Sequence, residues 1–172
     1  MTFQAYWKSE NWNDTITTPS TAPTKEGYTF KGWLADDGVT YGSGARYTPT
    51  GTGQKQLTAQ WEVNEYTYNI VYKSSSGVEL GTGTIKGLYG SSTQAFPASF
   101  TGYTSPGPQT VTFDSTTAKT ITFVYTPIKY TITWVLNGGT WPSGITVRTE
   151  FTKESDYYKF PEPVRTNYSF DG

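Results

Sequence analysis

A ten-residue phrase occurs twice in this chain. Pro23-Thr24-Lys25-Glu26-Gly27-Tyr28-Thr29-Phe30-Lys31-Gly32 leads into Trp33, and Pro163-Val164-Arg165-Thr166-Asn167-Tyr168-Ser169-Phe170-Asp171-Gly172 repeats its pattern up to the last residue. An echo of this kind marks a repeat architecture, in which one small supersecondary unit is copied and stacked. Because the second copy stops inside the phrase, the chain is expected to be a stretch of a longer tandem-repeat protein.

A second echo sets the period. Leu57-Thr58-Ala59-Gln60-Trp61, a joint from Glu62 to Glu65 and a strand restarting at Tyr66-Thr67 match Ile121-Thr122-Phe123-Val124-Tyr125, a joint from Thr126 to Lys129 and Tyr130-Thr131. The restarting tyrosines lie 64 residues apart. Alternation on both sides of a short polar joint predicts strands. The expected modules are residues 1–62, 63–127 and 128–172, with the outer two incomplete. Thr2 to Trp7 aligns slightly better with the second strand of a later module, Thr146 to Phe151, than with an opening strand. The first module is therefore expected to lack its own opening strand.

Composition narrows the class. Aromatics make up 17% of the chain and Thr is abundant, which suits pleated, half-buried strands. No long stretch has helical periodicity; short helical turns are allowed only within Gly87–Phe100 and Lys153–Phe160. No apolar run approaches the ~18 residues of a membrane span, so no membrane insertion is expected in this segment. A net charge of −1 without a Lys/Arg cluster argues against nucleic acid. With no histidine and no cysteine, the chain lacks the usual general base, thiol nucleophiles, thiolate zinc sites and disulfides. No cofactor and no metal are expected.

The remaining catalytic option is a carboxylate pair acting on glycosides, Asp36 with Asp37 or Glu150 with Glu154. Nothing frames either pair with a cleft, and the chain is expected not to be an enzyme. Trp33 and Trp61 end strand-like phrases and read as core. Trp12 and Trp141 lie in turn-rich loops, where a displayed indole stacks on a sugar face or else folds back over its own module. Tyr89 and Tyr157 are further candidates for glycan stacking.

These phrases resemble known families. Pro23-x-x-x-Gly27-Tyr28-Thr29-Phe30-x-Gly32-Trp33, closed by Leu57 to Trp61, resembles the internalin-type B-repeat, also called the Listeria–Bacteroides repeat. Tyr130 to Gly139, with the phrase ending at Gly172, is similar to most of a second copy. The middle module, from Tyr66-x-Tyr68-x-Ile70-x-Tyr72 through Gly102-Tyr103 to Thr122-Phe123-Val124-Tyr125-Thr126-Pro127, resembles the mucin-binding-protein repeat. Asn167 departs from the pattern in standing where the first copy has Gly27. The resemblance implies a mainly β (α+β) fold of tandem ubiquitin-like β-grasp modules in a rod. It also implies secretion to the cell surface or wall of a Gram-positive bacterium, and a place in the stalk or adhesive region of a large protein. The implied partners are host mucin or glycoprotein glycans, another surface protein, and neighbouring repeats of the same polypeptide. A pure spacer, or self-assembly by strand exchange between chains, is the alternative.

Overall fold

The computed structural model describes residues 2–5 and 15–172. It is built from strands, and no helix occurs among the described residues. The helical turns allowed at Gly87–Phe100 and Lys153–Phe160 are not formed. The first of these segments carries a strand, and the second holds only a turn at Lys153–Glu154. Gly, Ser, Thr and Pro make up half of the former, and such residues favour turns and extended backbone over a short isolated helix.

The first repeat holds β1 (Thr2–Ala5), β2 (Ile16–Thr17), β3 (Tyr28–Leu34), β4 (Thr40–Tyr41), β5 (Arg46–Tyr47) and β6 (Lys55–Val63). One sheet has the order β1-β6-β3-β4, and β2 pairs with β5 beside it. β3 and β6 are antiparallel, with Phe30 opposite Trp61 and Trp33 opposite Ala59. The register shifts between Phe30 and Gly32, a bulge that Gly32 accommodates at φ 129°. β1 is also antiparallel to β6, running from Thr2 opposite Thr58 to Ala5 opposite Lys55.

The middle repeat holds β7 (Glu65–Ser74), β8 (Glu79–Leu88), β9 (Ser92–Ala95), β10 (Tyr103–Thr104), β11 (Gln109–Thr112) and β12 (Thr120–Pro127). β7 and β8 form a hairpin whose turn is closed by the Ser74 N–H donating to the Val78 carbonyl at 2.8 Å. The sheet order is β10-β12-β7-β8. Asn69 N–H donates to the Lys119 carbonyl and Ser75 N–H to the Tyr125 carbonyl, both at 2.8 Å. Both chains ascend together across these two bonds, so β7 and β12 are parallel. β11 and β12 follow each other in the chain but do not pair as a hairpin. β11 pairs with β9 instead, with Ser92 Oγ 2.8 Å from Thr112 Oγ1. The third repeat shows only β13 (Tyr130–Thr131) paired with β14 (Glu150–Phe151) and an isolated bridge between Thr140 and Val164.

Two compact units divide the chain, and the division runs through the middle repeat. The first contains the described part of Met1–Asn69 with Thr84–Gln94 and Thr110–Thr120. Its core is Trp33, Ala35, Tyr47 and Leu57, flanked by Ile16, Phe30, Tyr41 and Ala59. Phe30 stands edge-on to both Trp33 and Trp61, at 5.3 and 5.5 Å between centroids, and such pairs add roughly 0.5–1.5 kcal/mol each beyond burial. Tyr68 and Phe113 form a second buried pair 4.8 Å apart. The Tyr68 hydroxyl donates to the Ser115 carbonyl and accepts from the Ser115 N–H.

The second unit contains Ile70–Gly83, Ala95–Gln109 and Ile121–Gly172. Ile70, Tyr103, Phe123 and Tyr125 are buried in it. Tyr72 stacks on Phe123 at 5.8 Å, and Phe100 meets Tyr125 edge-on at 5.2 Å. The Tyr125 hydroxyl donates to the Ala98 carbonyl at 2.6 Å, so this ring anchors an irregular segment as well as filling space.

Candidate functional site

Among the described residues, the third repeat carries the largest connected group of aromatic rings. Trp134 is edge-on to Trp141 at 5.5 Å and to Phe160 at 4.9 Å. Phe160 also meets Phe151 and Tyr158, at 5.8 and 5.4 Å. Beside them lies a groove of about 580 Å³ whose walls include Trp134, Asn137, Trp141, Phe160, Glu162 and Arg165. The turn that shapes one wall has Asn137 at φ 49° followed by Gly138 at φ 84°, a left-handed pair that this dipeptide tolerates. The Arg165 guanidinium lies over the Tyr168 ring at 3.9 Å. Trp134 Nε1 is buried and has no hydrogen-bond partner. This arrangement offers flat apolar faces with polar groups at their edges.

The three described residues singled out for glycan stacking have different settings. Trp12 lies outside the described residues. Trp141 is half-buried in the groove wall, its ring against Trp134. Tyr157 is 92% exposed. Tyr89 is half-buried and occupied elsewhere: it stands edge-on to Tyr28 at 6.2 Å and to Tyr66 at 6.1 Å.

Tyr89 belongs to a joint. Asn64 is the single residue between β6 and β7, and its N–H donates to the Gly27 carbonyl at 2.9 Å while its own carbonyl accepts the Tyr89 N–H at 2.9 Å. Its side chain accepts from the Thr29 hydroxyl at 2.6 Å. Gly27 is at φ 76°, and a Cβ there would sit 2.1 Å from Tyr89 Cγ. Part of this geometry recurs at the next joint. Ile128 N–H donates to the Gly102 carbonyl at 2.9 Å; Gly102 is at φ 85°, and a Cβ on it would meet the Lys153 side chain at 3.0 Å. Lys153 Nζ lies 5.9 Å from the Tyr103 ring centroid and donates to the Thr101 carbonyl. Tyr89 and Lys153 thus occupy matching places over matching glycines. The sequence offered a signal for this, since Gly27-Tyr28-Thr29 and Gly102-Tyr103-Thr104 align, but nothing local marked the residue that covers each glycine.

The acidic residues are engaged in local contacts. Asp36 accepts from the Tyr47 hydroxyl at 2.6 Å and from Lys55 Nζ at 2.8 Å; the Lys55 and Tyr47 bonds hold its carboxyl below the ordinary value. Burial and the Asp36 contact push the Tyr47 phenol upward. Asp37 accepts from the Val39 N–H and the Tyr41 hydroxyl, which is turn-forming work. Glu150 pairs with Lys129 at 3.0 Å. Glu154 accepts from the Ser76 hydroxyl at 2.6 Å, and hydrogen bonds from serines keep its carboxyl low. Among the described residues, no three or more His, Cys, Asp or Glu gather as a metal-holding group. No helix of the described residues is long and apolar enough to cross a membrane.

Comparison with known proteins agrees with the repeat pattern. The model of the Listeria-Bacteroides repeat domain matches residues 6–60 and 130–172, more than half of the chain. A protein of Evansella cellulosilytica described as "Putative membrane protein" is 30% identical over 130 residues, which cover 69% of this chain and 19% of that protein. The chain thus matches about a fifth of the length of this relative. No solved structure matches it. Two matched stretches, each carrying one copy of the repeated phrase, place the chain in the Listeria-Bacteroides repeat family.

Proposed function

We propose that the chain is a non-enzymatic segment of a bacterial surface protein and acts as a semi-rigid stalk. The observation that carries this reading is the pair of matched joints at Asn64 and Ile128. A linking residue whose N–H is bonded to a glycine that a later side chain covers has little freedom to swivel. Membership of a repeat family and the description of the Evansella cellulosilytica relative support a place at the cell surface. The strand order β8-β7-β12-β10, with its parallel central pair, supports a ubiquitin-like β-grasp arrangement for the middle repeat. There, the extended segment carrying β9 stands where that fold has its helix. The resemblance of this repeat to mucin-binding repeats belongs to the same reading.

The test is the spread of distances between spin labels at Lys31→Cys and Glu79→Cys. A narrow distribution that broadens in the Tyr89→Ala variant supports the stalk. A broad distribution in the unsubstituted joint refutes it.

A second reading adds weak adhesion to host mucin or glycoprotein glycans. The half-exposed Trp141 face beside Asn137 and Arg165 favours it, and many copies raise weak affinity through effective concentration. Immobilised mucin that retains the chain and releases Trp141→Ala supports this reading; equal retention of both proteins removes it. Self-assembly by strand exchange remains the alternative to both, and light scattering that reports a strict monomer at all concentrations excludes it.

A further inference from the structure

We infer that the middle repeat is a load-bearing clamp, and that the first repeat yields before it when the chain is pulled lengthwise. The inference deepens the stalk reading, on which its biological use rests, but its physical content comes from strand direction alone.

Tension along the polypeptide enters the middle repeat at Glu65, the start of β7, and leaves at Pro127, the end of β12. These two strands are neighbours in the sheet and run parallel, with Asn69 bonded to Lys119 and Ser75 to Tyr125. The start of one and the end of the other therefore lie at opposite ends of the shared ladder. Pulling there slides the strands past each other, and every rung between them is strained at once. No rung can open ahead of the rest, so the whole ladder must fail together. Rings brace both ends: Tyr68 packs on Phe113 near one, and Tyr72 on Phe123 and Tyr125 near the other.

The first repeat is loaded differently. β1 is antiparallel to β6, and Thr2 faces Thr58 on the exit side of β6 while Ala5 faces Lys55. Load entering at Thr2 and leaving at Val63 pulls from the same end of this ladder. Its rungs then open one after another, each bearing the load alone. β1 has only four residues, so little resists its departure.

Forced unfolding reports the barrier to unfolding rather than equilibrium stability, so strand direction can separate two elements of similar stability. The chain contains no cysteine, which makes engineered thiol handles unambiguous. The experiment compares two double variants of the whole chain in a single-molecule force instrument. Glu65→Cys with Thr126→Cys loads β7 against β12 in shear. Glu65→Cys with Leu88→Cys loads the β7–β8 hairpin from its open end. All three side chains are exposed, and the loss of the Glu65–Lys86 contact is common to both variants.

The shear pair is expected to break at several-fold higher force, releasing about 60 residues at ~3.5 Å each, roughly 200 Å of chain. Equal forces in the two geometries, or a weaker shear pair, overturn the clamp. Pulling the unmodified repeats from the chain ends is expected to give a low-force event before the high-force one. A single event, or the reverse order, overturns the sequence of yielding. The label-distance measurement on the joint is independent of these forces, so a failed clamp and a failed stalk are distinguishable.

Discussion

The Tyr89 ring occupies the space where Gly27 lacks a side chain, with its Cγ 2.1 Å from the place a Cβ would take. One glycine thereby serves two needs: a left-handed backbone at φ 76° and room for a ring from the next repeat. Asn167, at the corresponding place in the third repeat, has φ 64°. Asparagine satisfies the first need, because its short polar side chain tolerates that conformation. It cannot satisfy the second.

Gly27→Ala is therefore expected to destabilise the chain by more than the roughly 1–2 kcal/mol of left-handed backbone strain, because the Tyr89 ring must also leave. Pairing it with Tyr89→Ala removes the clash and should recover part of the loss. Urea unfolding of the two single variants and the double variant measures the coupling. Additive losses would show that the ring and the glycine do not interact.

Gly87 provides a purely steric case. Its φ lies outside the left-handed region, yet a Cβ on it would fall 2.3 Å from the buried Phe113 ring. Gly87→Ala should cost about 1–3 kcal/mol through overpacking. Gly107, with nothing within 4 Å and no left-handed φ, is the control. Gly107→Ala should be neutral or stabilising by a few tenths of a kcal/mol, since it restricts the unfolded chain. Thermal unfolding of both variants checks the contrast.

Asp36 should set part of the acid limit of stability. The Lys55 and Tyr47 hydrogen bonds depress its folded pKa below its ordinary value. Its contribution is thus present above the unfolded pKa and lost as pH falls through the folded one. Asp36→Asn is expected to be destabilising near neutral pH and to flatten the fall in stability below about pH 4. The carboxylate is partly exposed, so salt should shrink the difference. Unfolding free energies at pH 7 and pH 3, with and without added salt, test this.

The Tyr68 hydroxyl is bonded twice to the Ser115 backbone. Tyr68→Phe leaves a donor and an acceptor there without their partner and should cost about 1–3 kcal/mol. Tyr66→Phe, two residues earlier on the same face of β7, loses only a 3.5 Å bond from Asn64 Nδ2 to its hydroxyl and should cost less. Hydrogen exchange at the Ser115 amide is expected to speed up only in the Tyr68 variant.

Local pattern made most strands legible. Tyr66 to Tyr72 and Thr120 to Tyr125 alternate strongly, and β7 and β12 contain them. The third repeat was less readable: the strands expected from Tyr130 and over Thr146 to Phe151 shrink to Tyr130–Thr131 and Glu150–Phe151. A strand extends only as far as a partner is present to satisfy its backbone, and alternation says nothing of partners. Tyr89 reads from the sequence as a candidate for glycan stacking, yet it is packed against two other rings. Its companions Tyr28 and Tyr66 lie far from it along the chain, so no local pattern could reveal the contact.

The sequence by itself determined the repeated phrase, most of the alternating segments and the Gly-Tyr pairs at 27–28 and 102–103, each of which is written within a few residues. Only the tertiary structure decided that β12 lies parallel to β7, that β11 turns to β9, and that a tyrosine and a lysine cover equivalent glycines. These are choices among distant partners. They are governed by which rings fit together and which backbone groups find each other, not by the spacing of residues along the chain.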